Sequence, residues 1–171
     1  KELKMAKLRY LEHFAGAGGL SEGFMRAGFI PVSHVEMDTA ACYTLKTRLA
    51  YKWLLSEEKE EIYDSYLQGK ISRQEFYAEV PEKLLDTVLN CEISWDNLEK
   101  VFQIIDDNLQ GKKIDLIVGG PPCQAYSLIG RARDENNMLG DKRNYLYILY
   151  GEFLKKYRPK YFVFENVSGL L

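Results

Sequence analysis

Residues 8–20 read Leu8-Arg9-Tyr10-Leu11-Glu12-His13-Phe14-Ala15-Gly16-Ala17-Gly18-Gly19-Leu20. Leu8 to Phe14 is short and rich in apolar residues, as a buried strand is. It runs into Ala15 to Gly19, a turn in which large side chains would obstruct close approach to the backbone. Leu20, Phe24 and Ala27 then recur at helical spacing up to Gly28, a helix stop. Strand, glycine turn and helix in that order open a layered α/β domain.

The alternation continues along the chain. Ile30 to Met37 reads as a second strand ending in Glu36-Met37-Asp38, with Asp38 or Thr39 capping a helix that carries Leu45 and Leu49. Thr87 to Ile93 is a short third strand and Asp96 to Leu109 a helix. Ile114 to Val118 is a compact fourth strand, running into Gly119-Gly120-Pro121-Pro122-Cys123. Tyr145 to Tyr157 is a helix and Tyr161 to Phe164 a fifth strand. The pattern predicts a Rossmann-like, mainly parallel, doubly wound sheet. From about residue 54 to 86 the chain is charged and tyrosine-bearing. It reads as an insertion of one or two solvated helices, broken near Gly69-Lys70, with Ser72-Arg73-Gln74-Glu75 a capping box.

The 171 residues suffice for one domain with a sizeable core, and 46% hydrophobic content is that of a globular protein. The net charge of −2 is not the overall footprint of a nucleic-acid binder. The charge is uneven, however. Ile129 to Lys160 holds eight Lys/Arg and four Asp/Glu, whereas Leu55 to Asp86 holds nine Asp/Glu and four Lys/Arg. The basic stretch could meet phosphates while the acidic one faces away. No apolar run approaches the ~18–20 residues that span a bilayer. The N-terminal Lys1-Glu2-Leu3-Lys4 does not read as a secretory signal. Cys42, Cys91 and Cys123 form no CxxC, so neither a disulfide framework nor a metal site is indicated, and a cytoplasmic setting fits.

In a parallel sheet, functional groups lie beyond the carboxyl ends of the strands. The notable clusters fall there: Gly16 to Gly19, Glu36, Glu92, Cys123 and Glu165. Glu36 stands twenty positions after Gly16. A carboxylate at that place can accept hydrogen bonds from both hydroxyls of a ribose. A helix-capping or solvated acid is the plain alternative, and the full GxGxxG pattern is not met because Ser21 replaces its third glycine. Pro121 and Pro122 fix the path of the loop that presents Cys123, a place suited to a nucleophilic thiol. Cys42, on its helix, suits an inert core residue instead. Arg131 and Arg133 could lower the thiol's pKa. Glu165, ending an apolar strand, can move a proton if burial raises its pKa, while Asn166 suits a helix-cap role.

Phe14-Ala15-Gly16-Ala17-Gly18-Gly19-Leu20, Glu36-Met37-Asp38, Gly120-Pro121-Pro122-Cys123-Gln124-Ala125-Tyr126-Ser127 and Glu165-Asn166-Val167 together resemble the ordered motifs of the cytosine-C5 DNA methyltransferases. Asp141-Lys142-Arg143 also resembles the family's Asp-x-Arg segment. The resemblance implies an S-adenosylmethionine pocket lined by Phe14, Ala15, Gly16, Gly18, Gly19, Leu20, Glu36, Met37, Glu92, Ile93, Pro122 and Leu146. S-adenosylhomocysteine would be the product, with no metal involved. It implies Cys123 as nucleophile and Glu165 as the proton-handling carboxylate. Gln124, Ser127, Arg131, Arg133 and Asn166 would meet the substrate, a cytosine flipped out of double-stranded DNA. It further implies a bacterial, nucleoid-associated setting within a restriction-modification system. The family's later strands and target-recognition domain are absent, so a missing C-terminal half or a second subunit is expected. The rival readings are a tRNA cytosine-C5 methyltransferase, a non-catalytic subunit binding cofactor or a partner chain, and a plain Rossmann-type dehydrogenase.

Overall fold

A computed structural model describes residues 7–121 and 145–166. Its strands are β1 (Arg9–His13), β2 (Ile30–Glu36), β3 (Val88–Asn90), β4 (Leu116–Gly119) and β5 (Tyr161–Phe164). They form one all-parallel sheet in the order β3-β2-β1-β4-β5. The helices are α1 (Gly19–Arg26), α2 (Thr39–Ser56), α3 (Glu60–Leu67), α4 (Arg73–Ala78), α5 (Glu82–Leu85), α6 (Leu98–Leu109) and α7 (Leu146–Tyr157). The chain winds outward from β1 to β3, then crosses back to place β4 on the other side of β1. The strand order reverses between β1 and β4, which opens a crevice at their carboxyl ends. Fold class and strand positions thus follow the sequence reading.

The central strands are covered on both faces, and β1 and β2 bury Glu12, His13, Ser33 and His34 among their apolar residues, whereas β5 at the edge stays exposed. Leu11, Val35, Leu89 and Ile117 pack with Val101, Phe102 and Ile105 of α6 and Leu149, Tyr150 and Phe153 of α7. On the other face Tyr10, Leu116 and Val118 meet Phe24 and Met25 of α1 and Phe29 beyond it. Each fully buried Leu, Ile or Phe contributes about 1.5–3 kcal/mol of transfer free energy. The Tyr150 hydroxyl fixes α7 across two strands, its one proton shared between the carbonyls of Ile117 at 3.1 Å and Val163 at 3.2 Å.

Asp38 caps α2 by accepting from the Ala41 N–H at 2.7 Å. Ser72 and Glu75 form the expected reciprocal capping box at the start of α4. The segment around them differs from the solvated helices expected. Three helices are present, and they share a core with α2. Phe76 is fully buried against Ala50, Leu54, Val80 and Leu85, with Tyr63, Tyr66 and Tyr77 packed around it. The Tyr77 hydroxyl donates to the Tyr43 carbonyl at 2.9 Å, tying α4 to α2. Charged residues dominate this segment by count, yet one aromatic cluster decides how it packs.

The centre of the sheet admits no side chain at residue 119. Gly119 has φ 145°, and a Cβ there would fall 2.2 Å from the His13 carbonyl oxygen. Gly119→Ala is therefore expected to lower the unfolding free energy by about 2–5 kcal/mol through overpacking and backbone strain. Gly23→Ala, which meets nothing within 4 Å on α1, is expected to be neutral or to stabilise by up to about 1 kcal/mol. Urea unfolding of both variants checks the contrast.

Candidate active site

The crevice holds a cavity of about 650 Å³. Phe14 from the end of β1, Val35 and Glu36 from β2, and Gly120 beyond β4 form one side. Cys91 to Asp96, the irregular segment after β3, form another, and Tyr145, Leu146 and Leu149 at the start of α7 close it. The walls are mostly apolar with a few polar groups, the usual make-up of a small-molecule site.

The turn after β1 is tightly specified. Phe14 adopts φ 53°, a left-handed conformation rare for a bulky residue and costly by about 1–3 kcal/mol. Hydrogen bonds hold the turn, from Ala15 N–H to the Val35 carbonyl at 3.2 Å and from Gly18 N–H to the Ala15 carbonyl at 3.0 Å. Glu36 completes it. Its Oε2 accepts the Gly16 N–H at 2.7 Å and its Oε1 accepts the Asp38 N–H at 2.8 Å. One carboxylate thus pins both the glycine turn and the α2 cap. An ionised carboxylate has about four acceptor sites, so Glu36 keeps capacity for further donors.

The segment after β3 is held by side-chain amides. Asn90 Nδ2 donates to the Glu36 and Met37 carbonyls at 3.3 and 3.0 Å. Asn97 Nδ2 donates to the Glu92 carbonyl at 2.6 Å, and its Oδ1 accepts the Ser94 N–H at 3.1 Å. This places Glu92, Ile93 and Trp95 on the cavity wall, with Trp95 exposed at 58%. Burial raises the Cys91 thiol's pKa, which disfavours the thiolate on this wall.

Glu165 follows β5 and reaches the same edge. Its N–H donates to the Gly119 carbonyl at 3.1 Å. A Cβ on Gly120 would lie 2.4 Å from the Glu165 carbonyl oxygen and 2.7 Å from its Oε2. The carboxylate therefore lies against Gly120, and only glycine allows that approach. Glu165 itself is exposed.

Of the residues expected to hold a cofactor, Phe14, Glu36, Met37, Glu92, Ile93 and Leu146 line the cavity. Ala15, Gly16, Gly18, Gly19 and Leu20 do not. Ala15 is buried against α2, Gly16 meets Glu36 through its N–H, and Leu20 is exposed on α1. Asn166 lies next to Glu165 after β5. Pro122, Cys123, Gln124, Ser127, Arg131 and Arg133 fall outside the described residues. Sequence reasoning missed Val35, Ser94, Trp95, Asp96, Tyr145 and Leu149. Apart from Val35, which lies within β2, their shared signal was position, just past the end of β3 or at the start of α7. Among the described residues, no group of three or more His, Cys, Asp or Glu could hold a metal, and no helix is long and apolar enough to cross a membrane.

An all-parallel sheet of this order, with a carboxylate-pinned glycine turn facing an apolar crevice, defines a Rossmann-like domain. The family model of C-5 cytosine-specific DNA methylases matches residues 90–171. The Type II methyltransferase M.Bpa9945I of Bacillus paralicheniformis is 40% identical over 181 residues, covering 94% of this chain and 41% of the relative. M.XorII of Xanthomonas oryzae pv. oryzae is 34% identical over 161 residues, covering 94% of this chain and 28% of the relative. A crystal structure described as that of a DNA modification methyltransferase encoded within an E. coli prophage superposes with a TM-score of 0.58 at 25% identity, covering 96% of this chain and 33% of that one. The chain belongs to the C-5 cytosine-specific DNA methylase family, and it spans less than half the length of these relatives.

His13 sits under the cavity floor, fully buried among Phe14, Tyr150 and Phe153. Neither ring nitrogen has a hydrogen-bond partner among the described residues. Burial pushes its pKa down to about 3 from 6.5. The unfolded chain therefore binds this proton first, so stability is full above about pH 6.5 and declines as the pH falls towards about 3. Replacing the ring with an apolar one removes this contribution. His13→Leu is expected to gain stability relative to wild type as the pH falls through that window, by at most about 1.4 kcal/mol per pH unit. Urea midpoints of both proteins at pH 7 and pH 5 measure the difference.

Proposed function

We propose that the protein to which this chain belongs transfers a methyl group from S-adenosylmethionine to C5 of cytosine in double-stranded DNA. The cavity beneath the Glu36-pinned turn carries the reading. Its size, apolar walls and spare carboxylate capacity fit a nucleoside whose ribose hydroxyls bond Glu36 and whose adenine packs between Met37 and Ile93. Glu92 lies on the same wall, within reach of the adenine amine. When bound, S-adenosylmethionine supplies an electrophilic methyl group on a sulfonium.

The remaining chemistry belongs to the chain. The C5 of cytosine is too weak a nucleophile to accept the methyl group unaided. The Cys123 thiolate adds to C6, and the electron pair of the C5–C6 double bond moves towards N3. Glu165 hydrogen-bonds N3 and the exocyclic amine and protonates N3 as charge develops there. C5 is then nucleophilic enough to take the methyl group. Loss of the C5 proton to solvent, return of the N3 proton to Glu165 and expulsion of the Cys123 thiolate restore the ring. The close approach of Glu165 to Gly120 supports this pairing, because Gly120 stands three residues before Cys123 in the chain. The target base is flipped from the duplex, at a cost of a few kcal/mol. Gln124, Ser127, Arg131, Arg133 and Asn166 are assigned to the flipped nucleotide and its phosphates.

The sheet edge at β5 exposes Tyr161, Phe162 and Val163 at 62%, 60% and 42%. An open apolar edge strand is a ready surface for further strands. We assign it to the rest of the methyltransferase domain, or to a second subunit supplying that part and the target-recognition domain. The Type II relatives support a place in a restriction-modification system.

A DNA duplex with 5-fluorocytosine at the target tests the nucleophile and the substrate together, because fluorine cannot leave C5 as a proton. With S-adenosylmethionine, the intact protein is expected to form a covalent adduct, and Cys123→Ser none. Glu165→Gln should slow methylation of ordinary DNA by about 10²-fold or more. An adduct that persists in Cys123→Ser would reject the assigned nucleophile. Methyl transfer to tRNA but not to DNA would favour the tRNA reading.

A further inference from the structure

A second concavity, of about 700 Å³, opens between α1, α2 and the helices α3 and α4. It shares no lining residue with the strand-end cavity, and the methyl-transfer reading gives it no role. Its chemistry is distinctive. Arg26, Arg48, Lys52 and Arg73 line it against a single carboxylate, Glu22. Three of those cations converge on that acid. Arg26 Nε lies 2.7 Å from Glu22 Oε1, while Lys52 Nζ and Arg48 Nη1 lie 3.3 and 4.0 Å from Oε2. The hydrogen bond from Arg26, with help from Lys52, holds the Glu22 carboxyl below its ordinary pKa. One carboxylate cannot neutralise three cations. The fourth, Arg73, stacks its guanidinium 3.5 Å from the centre of the Tyr43 ring. Glu60, bonded to the Tyr51 hydroxyl at the rim, adds a second carboxylate, and four cations against two acids leave the groove locally positive in a chain whose net charge is −2, a field that a concave wall concentrates.

The rest of the wall is aromatic. Tyr43 and Tyr51 come from α2, and Tyr63 and Tyr66 from α3. Tyr51 and Tyr63 have ring centroids 4.5 Å apart, and Tyr66 is stacked on buried Phe76 at 4.6 Å. The rings are therefore held by packing before any ligand arrives. The Tyr51 hydroxyl is taken by Glu60 at 3.2 Å, so this ring offers its face rather than its hydroxyl. Cations placed beside fixed aromatic faces are what a phosphate joined to a flat base requires. A simple anion would use the cations alone, and an apolar ligand would have no use for them.

We propose that this groove is a second binding site for a nucleoside phosphate, with the phosphate held by Arg48, Lys52 and Arg73 and the base stacked on the tyrosine wall. A free nucleotide and a strand of nucleic acid both carry this chemistry, and the test separates the two.

The intact protein is irradiated with 5-iodo-dUMP, and separately with a thymidine oligonucleotide carrying one 5-iodo-dU, and adducts are located by peptide mass spectrometry. The expected result is cross-linking to Tyr43, Tyr51, Tyr63 or Tyr66, reduced at least about tenfold in the Arg48→Glu/Arg73→Glu double variant. Adducts with the mononucleotide identify a free-nucleotide site, and adducts with the oligonucleotide alone identify a strand site. Adducts only at other residues, adducts unchanged by charge reversal, or no adduct overturn the proposal. If the double variant fails to show the wild-type thermal transition, Arg48→Gln/Arg73→Gln replaces it with the same expectation. The readout requires no methyl transfer, so it stands or falls separately from the catalytic reading.

Discussion

The pairing of β1 with β4 is the contact on which the rest of the structure depends. Four residues of each strand run in parallel register, from Tyr10 opposite Leu116 to His13 opposite Gly119. The two strands are remote in sequence, so their meeting closes the largest loop in the sheet, at an entropic cost that grows slowly with length. What offsets that cost is burial on both faces. Tyr10, Leu11, Ile117 and Val118 are at or near zero exposure. The strand order reverses at this pair, and the crevice exists because of that reversal. Phe14 emerges on one side of it, and Gly120 with Glu165 on the other. The proposed cofactor cavity and proton-handling carboxylate are thus both consequences of one strand pairing.

Much of this was legible in the sequence because local physical chemistry fixed it. The apolar run Leu8 to Phe14 and the glycines after it could scarcely be anything but a strand and a tight turn. Asp38 and Ser72 marked helix starts through side-chain oxygens that satisfy otherwise unpaired N–H groups. Glu36 was identified by its position at a strand end. What the sequence did not reveal was non-local. The order of the strands depends on which apolar faces meet, and no short stretch encodes that. The wall from Ser94 to Asp96 is irregular backbone set by Asn90 and Asn97 amides, which leave no periodic trace. The helical segment from residue 54 to 86 is exposed over most of its length, in keeping with its charge count, but that count hid Phe76, whose burial organises its neighbours. Periodicity reports the face of an element well, but one aromatic residue in a polar segment needs a partner to be identified.

Glu36 shows how structure and binding can share one group. Its two oxygens hold Gly16 and Asp38, so the carboxylate shapes the turn before any ligand enters. A preorganised acceptor loses little on binding, because its orientation is already fixed by the fold. The left-handed Phe14 beside it points the same way. Such conformations persist only where the surroundings over-determine them, and here the β2 backbone, Glu36 and the α2 cap together do so.

The inserted helices extend this logic to the other side of α2. A charged segment lying loosely on the surface would present mobile side chains, and ordering them would cost much of any binding energy. Phe76 and the Tyr77 hydroxyl instead fasten α3 and α4 to α2, so the tyrosines and arginines facing the groove are carried on a fixed frame. Net charge averaged over the chain conceals this. Arg26, Arg48 and Lys52 gather around Glu22 on one side of the groove, and Arg73 lies over Tyr43 on the other. Where like charges are concentrated in a rigid concavity, their mutual repulsion is an energy that an anionic ligand can relieve, and the relief grows with the rigidity of the wall that holds them together.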